Sequence, residues 1–158
     1  MPSARRSRTI AAPLQELWEL IGDPHHLPRW WPRVDRVEDV DVAEGAFTEV
    51  MRTAKGKTVR ADFRLLESDE RRHTLAWEQQ LEGTPFERLL SEARTHVSLE
   101  PAEAEGAGVS ASAQATRVTI ELHQRLAGFF PRFGGFMVKG AAARTIEEAL
   151  DGLERVSG

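Results

Sequence analysis

The sequence predicts an α+β fold in which a curved antiparallel sheet of about seven strands wraps around a long C-terminal helix, with two short helices after the first strand. Three observations predict it. The apolar period changes from 3.6 to 2 near Val34, the strands that follow keep one polar face, and the only long amphipathic segment comes last. A sheet with one polar face cannot bury both sides, so its apolar face must close on that helix.

Each element follows from its pattern. After an N-terminal strand, "LQELWELI" (14–21) spaces Leu14, Leu17, Trp18 and Ile21 along one helical face, with Pro13 suited to the first turn and Gly22 to the end. Asp23 can cap a second, shorter helix that starts at Pro24 and stops near Trp31, because Pro28 and Pro32 prevent it from running on. Val37, Val40 and Val42 then alternate with acidic residues, and a Glu44-Gly45 turn leads to "AFTEVMRTA" (46–54). That strand reads in either register, since Val50 competes with Phe47 and Met51 for the inside. "KGKT" turns into a strand with Val59, Ala61, Phe63 and Leu65 inward, followed by one with Leu75, Trp77, Gln79 and Leu81. Leu89, Ser91, Ala93, Thr95, Val97 and Leu99 share a face of the next strand. Residues 101–114, small and polar without period, predict a loop, and "TRVTIELHQ" (116–124) predicts the last strand. Beyond Gly128, Phe136, Gly140, Ala143, Ile146, Leu150 and Leu153 form the stripe of the long helix.

Composition narrows the chemistry. A chain of 158 residues without repeat or linker predicts one domain, 1–158, burying roughly 68–70% of its unfolded surface. With no cysteine there is no disulfide, thiolate zinc site, iron–sulfur cluster or cysteine nucleophile. A net charge of −4 and a short basic run at Arg5, Arg6 and Arg8 argue against nucleic acid as a partner. No window approaches the roughly 20 apolar residues of a membrane span, and "MPSARRSRTIAAP" lacks a signal-peptide core, so a cytoplasmic protein is expected.

The motifs resemble those of the SRPBCC superfamily, also called START-like or Bet v 1-like, in its bacterial polyketide cyclase/dehydrase and lipid-transport-like branch. "RTIAAPLQELWELIGDPHHLPRWWPRV" is similar to that family's strand, Ala-Pro, helix with "xLW", Asp-Pro and Trp-Pro step. "TLAWEQQLEGTPFE", "TRVTIEL" and the closing helix extend the likeness over nearly the whole chain. The resemblance implies a helix-grip fold with an internal cavity. Carriers, cyclases, chaperone activators and oxygenase domains share it. No histidine pair here has the spacing of the oxygenases' iron ligands, "GGFMVKG" stands where chaperone activators carry Gly-Trp, and the tyrosine frequent in aromatase/cyclase cavities is absent. These departures favour binding of a lipid, isoprenoid or polyketide-like aromatic without metal or cofactor. A cyclase or dehydratase is the rival, and a partner-binding module the third reading; a homodimer stays open.

Candidate ligand contacts are Trp30, Met51, Phe63, Trp77, Gln79, Ser91, Thr95, Phe136, Gly140 and Arg144, each equally readable as packing. Trp30 should turn inward from the short helix. Gly140 to Ala143 put small side chains where the helix crosses the sheet, leaving space, and Arg144 could snorkel to the cavity mouth. Glu49, if its register turns it inside, would have a raised pKa and could act as a general base. His25 and His26 are neighbours on a helix and diverge by about 100°, so they are expected in solvent rather than on a metal. "AKGKT" lacks the first glycine and the following helix of a P-loop, and no G-x-S-x-G occurs.

Overall fold

Residues 3–53, 55–103, 114–127 and 132–157 are described by a computed structural model, with the side chains of residue 103 and residues 132–139 outside that description. Strand β1 (Ser3–Ile10) leads through Pro13 into helix α1 (Leu14–Gly22), which buries Leu17, Trp18, Leu20 and Ile21. Asp23 then accepts a hydrogen bond from the His25 backbone N–H at 3.0 Å, capping a single 3₁₀ turn (Pro24–His26) that runs into α2 (Leu27–Trp30). The remaining strands are β2 (Val34–Asp41), β3 (Ala46–Arg52), β4 (Thr58–Asp69), β5 (Thr74–Gln79), β6 (Leu90–Glu103) and β7 (Gln114–Leu126). Helix α3 (Arg132–Ser157) closes the chain.

The sheet has seven strands in the order β1-β7-β6-β5-β4-β3-β2, antiparallel throughout. Its first two strands in sequence are therefore its two edges. The concave face holds α3, whose Ile146, Ala149, Leu150 and Leu153 are wholly buried against Leu17, Trp30, Val118 and Ile120 in one apolar cluster. Each such side chain contributes roughly 1.5–3 kcal/mol through the water it sheds. Gly152 makes this packing possible: a Cβ there would overlap the backbone of Trp30, so α2 and α3 meet at a residue without a side chain. Arg8 ties β1 to α3 from outside, reaching Glu147 and Asp151 at 2.6 Å each and Glu154 at 3.4 Å.

Three expectations need correction. Residues 101–103 and 114 are not loop: β6 runs to Glu103 and pairs with β7 back to Gln114, while residues 104–113 lie outside the described residues. Pro101 is tolerated because β5 ends opposite Ser98, leaving β6 without a neighbour on that side. Gly140 is exposed with nothing within 4 Å of a Cβ placed on it, so neither a strand nor a cavity wall approaches it closely. The face assigned to the start of β6 also shifts. Between Leu90 and Glu92 this strand carries one residue more than β7, and the bulge turns Leu89 and Ser91 outward.

The register of β3 is unambiguous in the structure. Phe47 pairs with Phe63 and Glu49 with Ala61 on the concave face, while Val50 lies between Arg36 and Arg60 on the convex one. Val50 is nonetheless wholly buried. Its neighbours are held together by Glu38, which binds Arg36 and Arg60 at 2.6 Å each, so two opposite faces of one strand are both covered.

Candidate functional site: a cavity between sheet and helix

Cross-strand pairing lays out the concave face of the sheet, where Phe63, Gln79, Trp77, Thr95 and Leu122 line a cavity. Phe47, Phe63 and Gln79 form one row across β3, β4 and β5, and Leu65, Trp77, Thr95 and Leu122 form the next across β4 to β7. Ala141, Ala142 and Thr145 of α3 line the helix side of the space, and their small side chains leave room for it. Phe86, Leu90 and Arg94 also line the cavity, which measures about 260 Å³. That is slightly below the roughly 300–1,000 Å³ common for small-molecule sites.

Glu49 is the chemical centre of this space. It is 2% exposed, its Oε1 has no hydrogen-bond partner, and burial alone pushes its carboxyl up from 4.5 to about 8. At neutral pH the group is therefore a neutral acid. Gln79 Nε2, buried in the same wall, also lacks a partner. Buried polar atoms are nearly always paired, so two unpaired atoms in one wall set this cavity apart among the described residues. The third unpaired atom, Trp30 Nε1, lies elsewhere.

Of the anticipated contacts, the structure brings together Glu49, Met51, Phe63, Trp77, Gln79 and Thr95. Trp30, Ser91, Gly140 and Arg144 do not line the cavity, and the side chain of Phe136 lies outside the described residues. Trp30 does turn inward, yet toward α3, where it is 1% exposed. Trp31 takes the cavity position instead: it leaves the helix with an extended ψ of 133°, packing edge-on against Trp77 at 5.9 Å. Ser91 is displaced by the β6 bulge, and Arg144 points to solvent from α3. Phe86, Leu90 and Arg94 were not anticipated as cavity residues. Phe86 sits in a 3₁₀ turn with no periodic signal, and Arg94 reads as surface charge, bound to Glu92 at 3.1 Å and Glu78 at 3.6 Å. His25 is exposed, and both His25 and His26 lean on Asp23, at 2.9 and 3.7 Å. Among the described residues no three His, Asp or Glu side chains converge as metal ligands, and no helix is long and apolar enough to cross a membrane.

The family described as polyketide cyclase / dehydrase and lipid transport matches residues 1–158. The chain belongs to that family. Solved structures carry the same fold. A START superfamily protein from Mycobacterium smegmatis shares 14% identity, with a TM-score of 0.74 over 98% of this chain and 96% of that one. The Zhui aromatase/cyclase from Streptomyces sp. R1128 shares 18%, with a TM-score of 0.71 over 98% and 92%. The di-domain ARO/CYC BexL of the BE-7585A biosynthetic pathway shares 21%, with a TM-score of 0.76, and this chain spans 46% of its length. No curated protein sequence matches the chain. Within the polyketide cyclase / dehydrase and lipid transport family, then, this member carries a carboxyl and an amide as the unpaired buried groups of its cavity wall.

Proposed function

We propose that the cavity binds a small, largely apolar molecule carrying a carbonyl or hydroxyl group, which meets Glu49 and Gln79. The carrying observation is the unpaired Glu49 carboxyl in an apolar wall. As packing it makes no sense, because an apolar side chain of similar volume there would avoid a desolvation cost of a few kcal/mol. As a ligand contact it makes sense: the neutral acid can donate to a carbonyl oxygen, the Gln79 amide can donate beside it, and Trp31, Phe63 and Trp77 flank the apolar body. Native mass spectrometry of protein purified from its own host should show a bound apolar molecule, lost in Glu49→Leu/Gln79→Leu. A wild-type protein that is consistently empty, with no thermal shift from any aromatic ketone or phenol, would sink this reading.

A second reading, an enzyme of the cyclase or dehydratase class, is favoured by the position of the Glu49 pKa near 8. A group balanced there can serve as acid and base in turn. In a dehydration, the Glu49 acid protonates the departing hydroxyl, the C–O bond breaks and water leaves. The resulting carboxylate then takes the proton from the adjacent carbon as the double bond forms, which restores the acid. Glu49→Gln should lower turnover of a β-hydroxy ketone by about 10²–10⁴-fold, with little change in its affinity. Equal turnover would remove Glu49 from the reaction.

A further inference from the structure

A second apolar depression lies at the other end of the sheet. It measures about 320 Å³ and is lined by Pro24 of the 3₁₀ turn, Val40 near the end of β2, Val42 in the turn after it, Phe47 of β3 and Leu65 of β4. Val42 is 89% exposed and Leu65 36% exposed, so this space is open to water and apolar at once. Gly45 at the β2–β3 turn, with a φ of 68°, packs on Leu65 and shapes its floor.

Three rings stand between this depression and the cavity of Glu49. Phe47 faces the depression, whereas Phe63 and Trp77 face the cavity. Phe47 is stacked on Phe63 at 5.4 Å and sits edge-on to Trp77 at 6.5 Å. A void of about 20 Å³ under the early helices, lined by Ile21, Pro24 and Leu27 as well as Phe47 and Leu65, shares Trp77 with the cavity and Phe47 with the depression.

We infer that the depression is a second chamber of the same site, holding the uncharged hydrocarbon tail of the ligand whose polar group meets Glu49. This rests on the ligand-binding reading above. The ring contacts that link the two linings, Phe47 with Phe63 and with Trp77, argue for one molecule in both chambers. The rim argues for an uncharged end: Asp23 and Asp41 flank the opening, His25 is already engaged with Asp23 at 2.9 Å, and a second carboxylate would be repelled.

The probes are 6-acyl-2-(dimethylamino)naphthalenes, fluorescent ketones with acyl chains from acetyl to lauroyl, titrated into the intact protein. Each methylene that enters the chamber should tighten Kd by about fourfold until the chamber is full. Val42→Trp, a change at an exposed position, should collapse the ratio of acetyl to lauroyl Kd. Phe47→Leu should raise the association rate of the lauroyl probe relative to the acetyl one. An acetyl probe that binds with a flat length series, or a length series untouched by Val42→Trp, overturns the second chamber while leaving the ligand-binding reading standing. Two lauroyl molecules bound per chain would also overturn it. Failure of every probe to bind, acetyl included, overturns the ligand-binding reading itself.

Discussion

Glu49 places a buried carboxyl in the cavity wall, and its protonation links the cavity to stability. In the unfolded chain its carboxyl titrates near 4.5, in the folded one near 8. Between those values the folded state holds a proton that the unfolded state has lost, so the contribution present below pH 4.5 declines as pH rises and is gone above about 8. From pH 4.5 to 7 the loss amounts to about 3 kcal/mol. Urea melts of Glu49→Gln across that range should show a flatter profile than wild type, and a variant more stable at pH 8; identical slopes in both proteins would refute the buried-acid assignment. At this scale the sequence is legible only where local geometry is regular. Phe63 and Trp77 follow from strict alternation, but the choice between Phe47 and Val50 does not, because both are buried and only cross-strand ion pairs explain why Val50 can face outward. Trp30 closes α2 and Trp31 is the residue just past its end, a boundary that spacing arguments do not see.

Elements show the same boundary between pattern and exception. The stripe Ile146, Leu150, Leu153 is readable at 3.6-residue spacing, and the small residues around Ala142 do correspond to empty space under α3. The glycine that matters, however, is Gly152 and not Gly140, since close approach depends on where α2 happens to cross. Gly152→Ala should therefore cost about 1–3 kcal/mol or more in thermal or urea unfolding, by forcing α2 off α3. Gly140→Ala should instead stabilise, by up to about 1 kcal/mol, because nothing crowds a Cβ there and alanine is the better helix former. Reversal of that order would mean that the α2–α3 crossing is misassigned. The β6 bulge is the other unreadable feature: one inserted residue changes which face Ser91 occupies while leaving the alternation after Ala93 intact.

For the molecule as a whole, the pairing of β1 with β7 joins chain ends more than a hundred residues apart, with Ile10 opposite Thr116. Removing residues 1–10 should thus abolish cooperative unfolding rather than trim an edge, as followed by near-UV circular dichroism; a truncated chain with a sharp transition would show β1 to be dispensable. Arg8→Met is a milder test of the same junction. Its three carboxylate partners are well exposed, so the loss should be about 1 kcal/mol and shrink with added salt. The seven-strand sheet and its helix were legible because period 2 and period 3.6 segregate so cleanly along the chain. Sequential antiparallel pairing then gives the order from β2 to β7, whereas the place of β1 beside β7 rests on a long-range pairing that no local pattern encodes. That order has a mechanical meaning. Because the two edge strands are consecutive in sequence, the segment from Leu14 to Trp31 works like the buckle of an open belt. Displacing that segment would break no backbone rung of the sheet, only the packing of side chains such as Leu17, Ile21 and Trp30 in the apolar cluster. Bulkier guests should therefore raise amide exchange in residues 14–31 while the inner strands β4 to β7 stay as protected as in the empty protein.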